Sequence, residues 1–182
     1  MKNLTSELTI SPVKAQIYSL IPTIILIPLL LLPFHLIWDI KLSGLKINLL
    51  TNTMYGFIML IAGTVVHELI HGFTAMLFAN VPWKNVKFGI QWQSLTPYFH
   101  SEIPMKAQKY RVVVIMPLII LGLIPYIVSL INGSGWLMIF GTIFTFAACG
   151  DLMIIWMMRK LHAHEMVQDH PTKVGLLVEE SV

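Results

Sequence analysis

Hydrophobic and polar positions divide the chain into four long apolar runs separated by short polar stretches. The runs extend from about Ile17 to Trp38, Thr53 to Ala79, Val112 to Ile131 and Trp136 to Met158. A membrane-spanning helix needs about 20 mostly apolar residues, and each run meets that length. Pro22, Pro28 and Pro33 fall in the first run, and Pro117 and Pro125 in the third. Helices within a bilayer tolerate prolines, often with a kink. Trp38, Trp83 and Trp136 stand near the predicted ends, where aromatic belts form. Between the second and third runs the pattern changes. Val86, Phe88, Ile90 and Trp92 alternate with Lys87, Gly89 and Gln91, which is the period of a strand. Ser94 to Phe99 is suited to return as a partner strand, with Pro97 confining it to an edge. The pattern predicts an all-α membrane protein of about four transmembrane helices, with a small β-hairpin in the middle loop. It predicts one domain over residues 1–182, with residues 159–182 as an exposed tail.

Composition supports this reading. Hydrophobic residues make up 56% and charged residues 12%, against about 45–50% and about 25% in ordinary soluble domains. So few charges cannot cover a soluble domain of this size. A net charge of +3 is too small to argue for nucleic acid. The basic residues read better as membrane anchors. Lys2, Lys14, Lys84, Lys87, Lys106, Lys109, Arg111, Arg159, Lys160 and Lys173 fall on one side of a four-span arrangement, and only Lys41 and Lys46 on the other. The positive-inside rule then puts both termini and the middle loop in the cytoplasm of a multi-pass cell-membrane protein, with lipid as its surroundings. Polar residues up to Gln16, followed by a run long enough to span, do not suit a cleavable signal peptide. The single cysteine, Cys149, allows no internal disulfide and reads as a small packing residue. The methionines show no ligand spacing and read as packing.

The second run contains His67-Glu68-Leu69-Ile70-His71. Residues four apart share a helix face, so His67 and His71 can hold one metal ion between them. Glu68, next to His67, can reach a water on that ion as general base. Two neutral imidazoles leave the ion its charge, and that charge brings the pKa of a bound water down to about 7. A five-residue pattern can arise by chance. In a spanning helix, however, an ionised residue costs roughly 2.5–3.5 kcal/mol at the centre, so polar residues at three of five positions call for a compensating interaction.

A catalytic zinc site takes three protein ligands. Asp151, the charged residue of the fourth run, is the best third candidate. Counted at 1.5 Å per residue, His71 lies about 13 Å from the end of its helix at Asn80, and Asp151 about 12 Å from Arg159, so the two share a level. His162, His164 and Glu165 in the tail, with Asp169 and His170 after them, are competing ligands. His100 can approach from the hairpin, and His35 reads as an interfacial histidine. Gly63, Gly72, Ala62 and Ala75 around the motif would let neighbouring helices come close.

These residues resemble the membrane family named Putative zincin peptidase. The resemblance rests on His67 to Gly72, Tyr110-Arg111 leading into Met116-Pro117-Leu118, Gly150-Asp151, and Asp169-His170-Pro171-Thr172-Lys173-Val174-Gly175. The arrangement is also similar to the core of site-2 proteases, which cut peptide bonds within membranes. The resemblance implies Zn2+ held by His67, His71 and Asp151, with Glu68 as base and a membrane-protein or peptide substrate. It departs at Gly150-Asp151-Leu152, where site-2 proteases usually carry Asp followed by Gly. Two other classes remain open from sequence: a non-enzymatic protein that binds or transports metal through the same residues, and an inactive binding protein for membrane clients.

Overall fold

A computed structural model of the chain describes residues 4–38, 49–92 and 96–179. Lys2, Lys41, Lys46 and Ser94, which entered the charge and hairpin expectations, lie outside the described residues.

Three helical stretches are long and apolar enough to cross a membrane: Met54–Ala79, Ala107–Asn132 and Gly135–Lys160. They match the second, third and fourth apolar runs. In the first run, Pro22–Trp38 is a shorter apolar helix. Ile24, Leu36, Leu77 and Ile131 are among many large apolar side chains turned outward. A water-exposed protein does not sustain so extensive an apolar surface, and with the three long helices it marks a membrane protein.

Helix α1 (Pro12–Trp38) runs through Pro22, Pro28 and Pro33. Helix α2 (Leu49–Ala79) is continuous. It stops where Asn80 turns left-handed, at φ 59, a conformation Asn tolerates better than most residues. The third run is not one regular helix. Helix α3 (Ala107–Pro117) passes into a π-helical turn, Leu118–Leu123, and then into α4 (Ile124–Asn132). Pro117 and Pro125 flank that turn, and each withholds an N–H from the α-helical ladder. The ladder lengthens by one residue, with Ile124 N–H bonding to Ile119 O.

The fourth run also breaks. Ser134 caps α5 (Gly135–Ala147) by accepting from Leu137 N–H at 3.3 Å. Helix α6 (Cys149–Met157) starts anew after Ala148, at φ −76 and ψ 0. The physical reason lies in side chains that bond back to the preceding turn. Thr145 Oγ1 donates to Gly141 O at 2.8 Å, and Cys149 Sγ to Thr145 O at 3.7 Å. Such bonds compete for the carbonyls of the ladder and bend helices.

Two antiparallel sheets accompany the helices. The hairpin pairs β2 (Val86–Gln91) with β3 (Thr96–Ser101), in register from Val86↔Ser101 to Gln91↔Thr96. A four-stranded sheet has the order β1-β6-β5-β4, formed by β1 (Leu4–Ile10), β4 (Met105–Lys106), β5 (Met166–Asp169) and β6 (Val174–Glu179). The all-α expectation and the exposed tail are therefore corrected, because the two ends of the chain fold together. In β6, Leu176 and Val178 are buried on one face at the spacing of a strand. They join Val81, Val86, Met105, Val113, Met158 and Val167 in a core between the sheet and the helix ends. Gly175, at φ 136, is required in β6, since a Cβ there would lie 2.1 Å from Leu8 O.

Helix α3 sits at the centre, against both α2 and α6, while α1 packs on α5 and α6. Val113 and Val114 of α3 are buried in this packing. Helix α5 comes close to α2 at Gly63. The Phe144 ring fills the space beside Gly63, where a Cβ would come within 2.1 Å of it.

Candidate metal centre

His67 and His71 sit near the middle of the membrane-long stretch of α2, one turn apart, each only 6% exposed. Their rings meet edge to face, with centroids 5.0 Å apart. Asp151 reaches them from the first turn of α6, just past the break at Ala148. His67 Nε2 lies 3.1 Å from Asp151 Oδ2, and His71 Nε2 3.5 Å from Asp151 Oδ1. One ligand atom from each residue falls within 4.8 Å of the others. Zinc bonds of about 2.0–2.2 Å in a tetrahedron put ligand atoms roughly 3.3 Å apart. The observed spacings run from slightly below that value to somewhat above it. A modest contraction would seat an ion, and two imidazoles with a carboxylate form a donor set suited to zinc.

The two histidines differ in their outer contacts. His71 Nδ1 meets the carbonyl of Val113 on α3 at 2.9 Å. His67 Nδ1 is buried and has no hydrogen-bond partner among the described residues. Glu68 stands outside the ligand group. It lines the same cavity of about 1020 Å³ as His71 and Asp151, and its carboxyl lies against the backbone N–H of Phe99 on β3. The Phe99 ring stacks obliquely on His71, centroids 5.9 Å apart.

The outward edge of β3 is unusual in its donors. Backbone groups alternate sides along a strand, and Asn85 O receives Glu102 N–H across the hairpin. Pro97, Phe99 and Ser101 therefore face away from β2. Pro97 has no N–H, Phe99 N–H faces Glu68, and Ser101 N–H donates to Asp169 Oδ2 at 2.8 Å. Asp169 also accepts from the Tyr110 hydroxyl. Burial holds the Asp169 carboxyl above the usual carboxylate range, outweighing those two bonds. This carboxylate ties the end of β5 to the hairpin and to α3, all of which border the cavity.

The remaining candidates occupy other places. His162 bonds Glu165 at 2.9 Å, and His162 and His164 are exposed, so they stand apart from the three-residue group. His170 Nδ1 accepts from Thr172 and Lys173 N–H at 3.1 and 2.9 Å and folds the β5–β6 turn. His100 lines the cavity from β3, nearer the site than a solvated loop position would be. His35 is exposed on α1, and Cys149 is buried. Asp169 and Arg111 were missed as framework residues. Arg111 Nη2 donates to Met158 O and Leu161 O at 2.7 Å each, closing the end of α6. The available signal was the alternation of Val174, Leu176 and Val178, which marks a strand immediately after Asp169.

A family model described as Putative zincin peptidase matches residues 60–165, a span that includes His67, Glu68, His71, Tyr110, Pro117 and Asp151. No curated protein and no solved structure matches the chain. The chain belongs to the family described as Putative zincin peptidase.

Proposed function

We propose that this family member is a zinc-dependent membrane-embedded metallopeptidase, a single domain that hydrolyses peptide bonds in or near the bilayer. The observation that carries the proposal is the meeting of His67, His71 and Asp151 from two distant helices, with Glu68 facing the same cavity. In this reading the three are the ligands of Zn2+, which when bound supplies a Lewis acid and an acidified water. Glu68 is the general base, and its carboxylate takes the proton from the attacking water. The Phe99 N–H beside that carboxylate orients it. The substrate is a membrane protein or peptide, opened from its helical form so that a carbonyl is free. Phe88 and Ile90 face their backbone groups away from β3, and this edge suits an added substrate strand.

The paired chain ends support a multi-pass arrangement. β1 and β6 lie in one sheet, which suits an arrangement with both segments on one side and an even number of crossings between them. Helix α1, helix α2, the α3–α4 stretch and the α5–α6 stretch would make four. The excess of Lys and Arg assigns that shared side to the cytoplasm.

The test is metal analysis of the purified protein beside Glu68→Gln, with turnover followed on a panel of membrane-peptide substrates. Wild-type protein should carry one zinc. The variant should keep it and lose turnover by about 10²–10⁴-fold, the usual contribution of a general base. A wild-type protein without stoichiometric metal would end the proposal.

A further inference from the structure

In an α-helix the carbonyl of one residue accepts the N–H four residues later. For Val113 that later residue is Pro117, which has no N–H. The next N–H, that of Leu118, goes to Ile115 O. Val113 is 0% exposed, out of reach of solvent. Its carbonyl is nonetheless satisfied, because His71 Nδ1 lies 2.9 Å from it. A carbonyl can only accept, so the proton of this bond sits on Nδ1. The lone pair of a neutral His71 ring then falls on Nε2, the nitrogen turned toward Asp151.

We propose that Pro117 is a positioning residue of the metal centre: by denying Val113 its helical donor, it reserves the Val113 carbonyl for His71 and so sets that ring's tautomer and plane. The inference rests on the reading of His71 as a ligand. An outer hydrogen bond of this kind fixes ring orientation and strengthens the ligand, and its loss typically costs about 10–100-fold in metal affinity. The contrast with His67, whose Nδ1 has no partner among the described residues, makes His71 the histidine that the framework pre-orients. Pro125 offers an internal control. It flanks the same π-helical turn and likewise has no N–H to give to the ladder, but it lies at the far end of that turn from Val113 and His71.

The experiment uses the full chain in detergent. Zinc affinity is measured by competition with a chelator for wild type, Pro117→Ala and Pro125→Ala. Histidine ring 15N spectra are recorded on the metal-free proteins. Pro117→Ala supplies an N–H to Val113 O, and zinc affinity should fall about 10–100-fold. Pro125→Ala should stay within about two-fold of wild type, if the Val113 carbonyl and not the bend is responsible. In metal-free wild type the His71 Nδ1 should carry a proton slow to exchange, and in Pro117→Ala that exchange should quicken. Equal affinity in wild type and Pro117→Ala overturns the proposal, as does an equal loss in Pro125→Ala. An unprotonated Nδ1 in wild type overturns it alone, which also decides the case if Pro117→Ala fails to fold. If wild type takes up no zinc, the ligand reading falls, while the ring spectra still decide the part played by Pro117.

Discussion

Replacing Asp169 tests whether the chain ends hold the cavity in shape. Its carboxylate accepts from Ser101 N–H at 2.8 Å and from the Tyr110 hydroxyl. Ser101 is 0% exposed and Tyr110 5%, so both donors sit away from bulk water. Asp169→Ala strands two donors at about 1–3 kcal/mol each. Removing a carboxylate that is costly to bury offsets part of that, and a net loss of about 3 kcal/mol is expected. At about 2–4 °C per kcal/mol for a chain of this length, the unfolding midpoint should drop by roughly 6–12 °C. Asp169→Asn keeps one acceptor oxygen and the volume, and should lose about 1 kcal/mol. Cys149 provides the assay, because it is the single cysteine and is buried. A maleimide that fluoresces on reaction with thiol reports its exposure on heating. The two proteins should also differ in pH response. Burial raises the folded-state pKa of Asp169 above its unfolded value, so folding favours the protonated acid. That contribution is fully present below an unfolded value of about 3.9 and is lost as pH rises through the raised folded value. Wild-type stability relative to Asp169→Asn should therefore decline as pH rises from about 4. An Asp169→Ala midpoint within about 2 °C of wild type, or parallel pH profiles for wild type and Asp169→Asn, would refute the reasoning.

Asp151→Ala should lower zinc affinity by at least the 10–100-fold typical of an outer partner, since the proposed function makes it an inner ligand, and should leave His164→Ala as the harmless comparison. Chelator competition reads both, and a loss in His164→Ala equal to that in Asp151→Ala would restore the tail as the source of the third ligand. For topology, a cysteine at Lys106 in a Cys149→Ala background should resist a membrane-impermeant maleimide added outside intact cells and react once the membrane is opened. Reaction from outside would reverse the assigned orientation.

The apolar runs and the His-Glu-x-x-His stretch were legible because each signal is local. Run length reports membrane thickness, and i,i+4 spacing reports a helix face. Asp151 was legible for a related reason, as a lone carboxylate in an apolar run. The unread parts depend on partners far along the chain. Leu4–Ile10 looks like part of a polar N-terminal stretch until Val174–Glu179 is seen to pair with it. Asp169 looks like a residue of a charged tail until Ser101 and Tyr110 are brought to it. The break at Ala148 was hidden because neither Pro nor Gly marks that position, and the bending groups are the small side chains of Thr145 and Cys149. The place of Pro117 could be seen in the sequence, but its effect on His71 required α2 and α3 to be side by side.

The pairing of Leu4 with Glu179 and Ile10 with Val174 also bears on the order of events during synthesis. A ribosome releases β1 first and its neighbour β6 only after every helix has been made. The loop that must close contains nearly the whole chain, yet closure entropy grows only with the logarithm of length, so the long wait carries little thermodynamic penalty. What it imposes is a sequence. The helices enter the membrane while the wall of the cavity formed by the turn between β5 and β6 is still missing, and the first strand stays without its partner until then. The C-terminal strand acts as a clasp, and a nascent chain stopped before Val174 has its helices but neither a complete cavity nor a paired first strand.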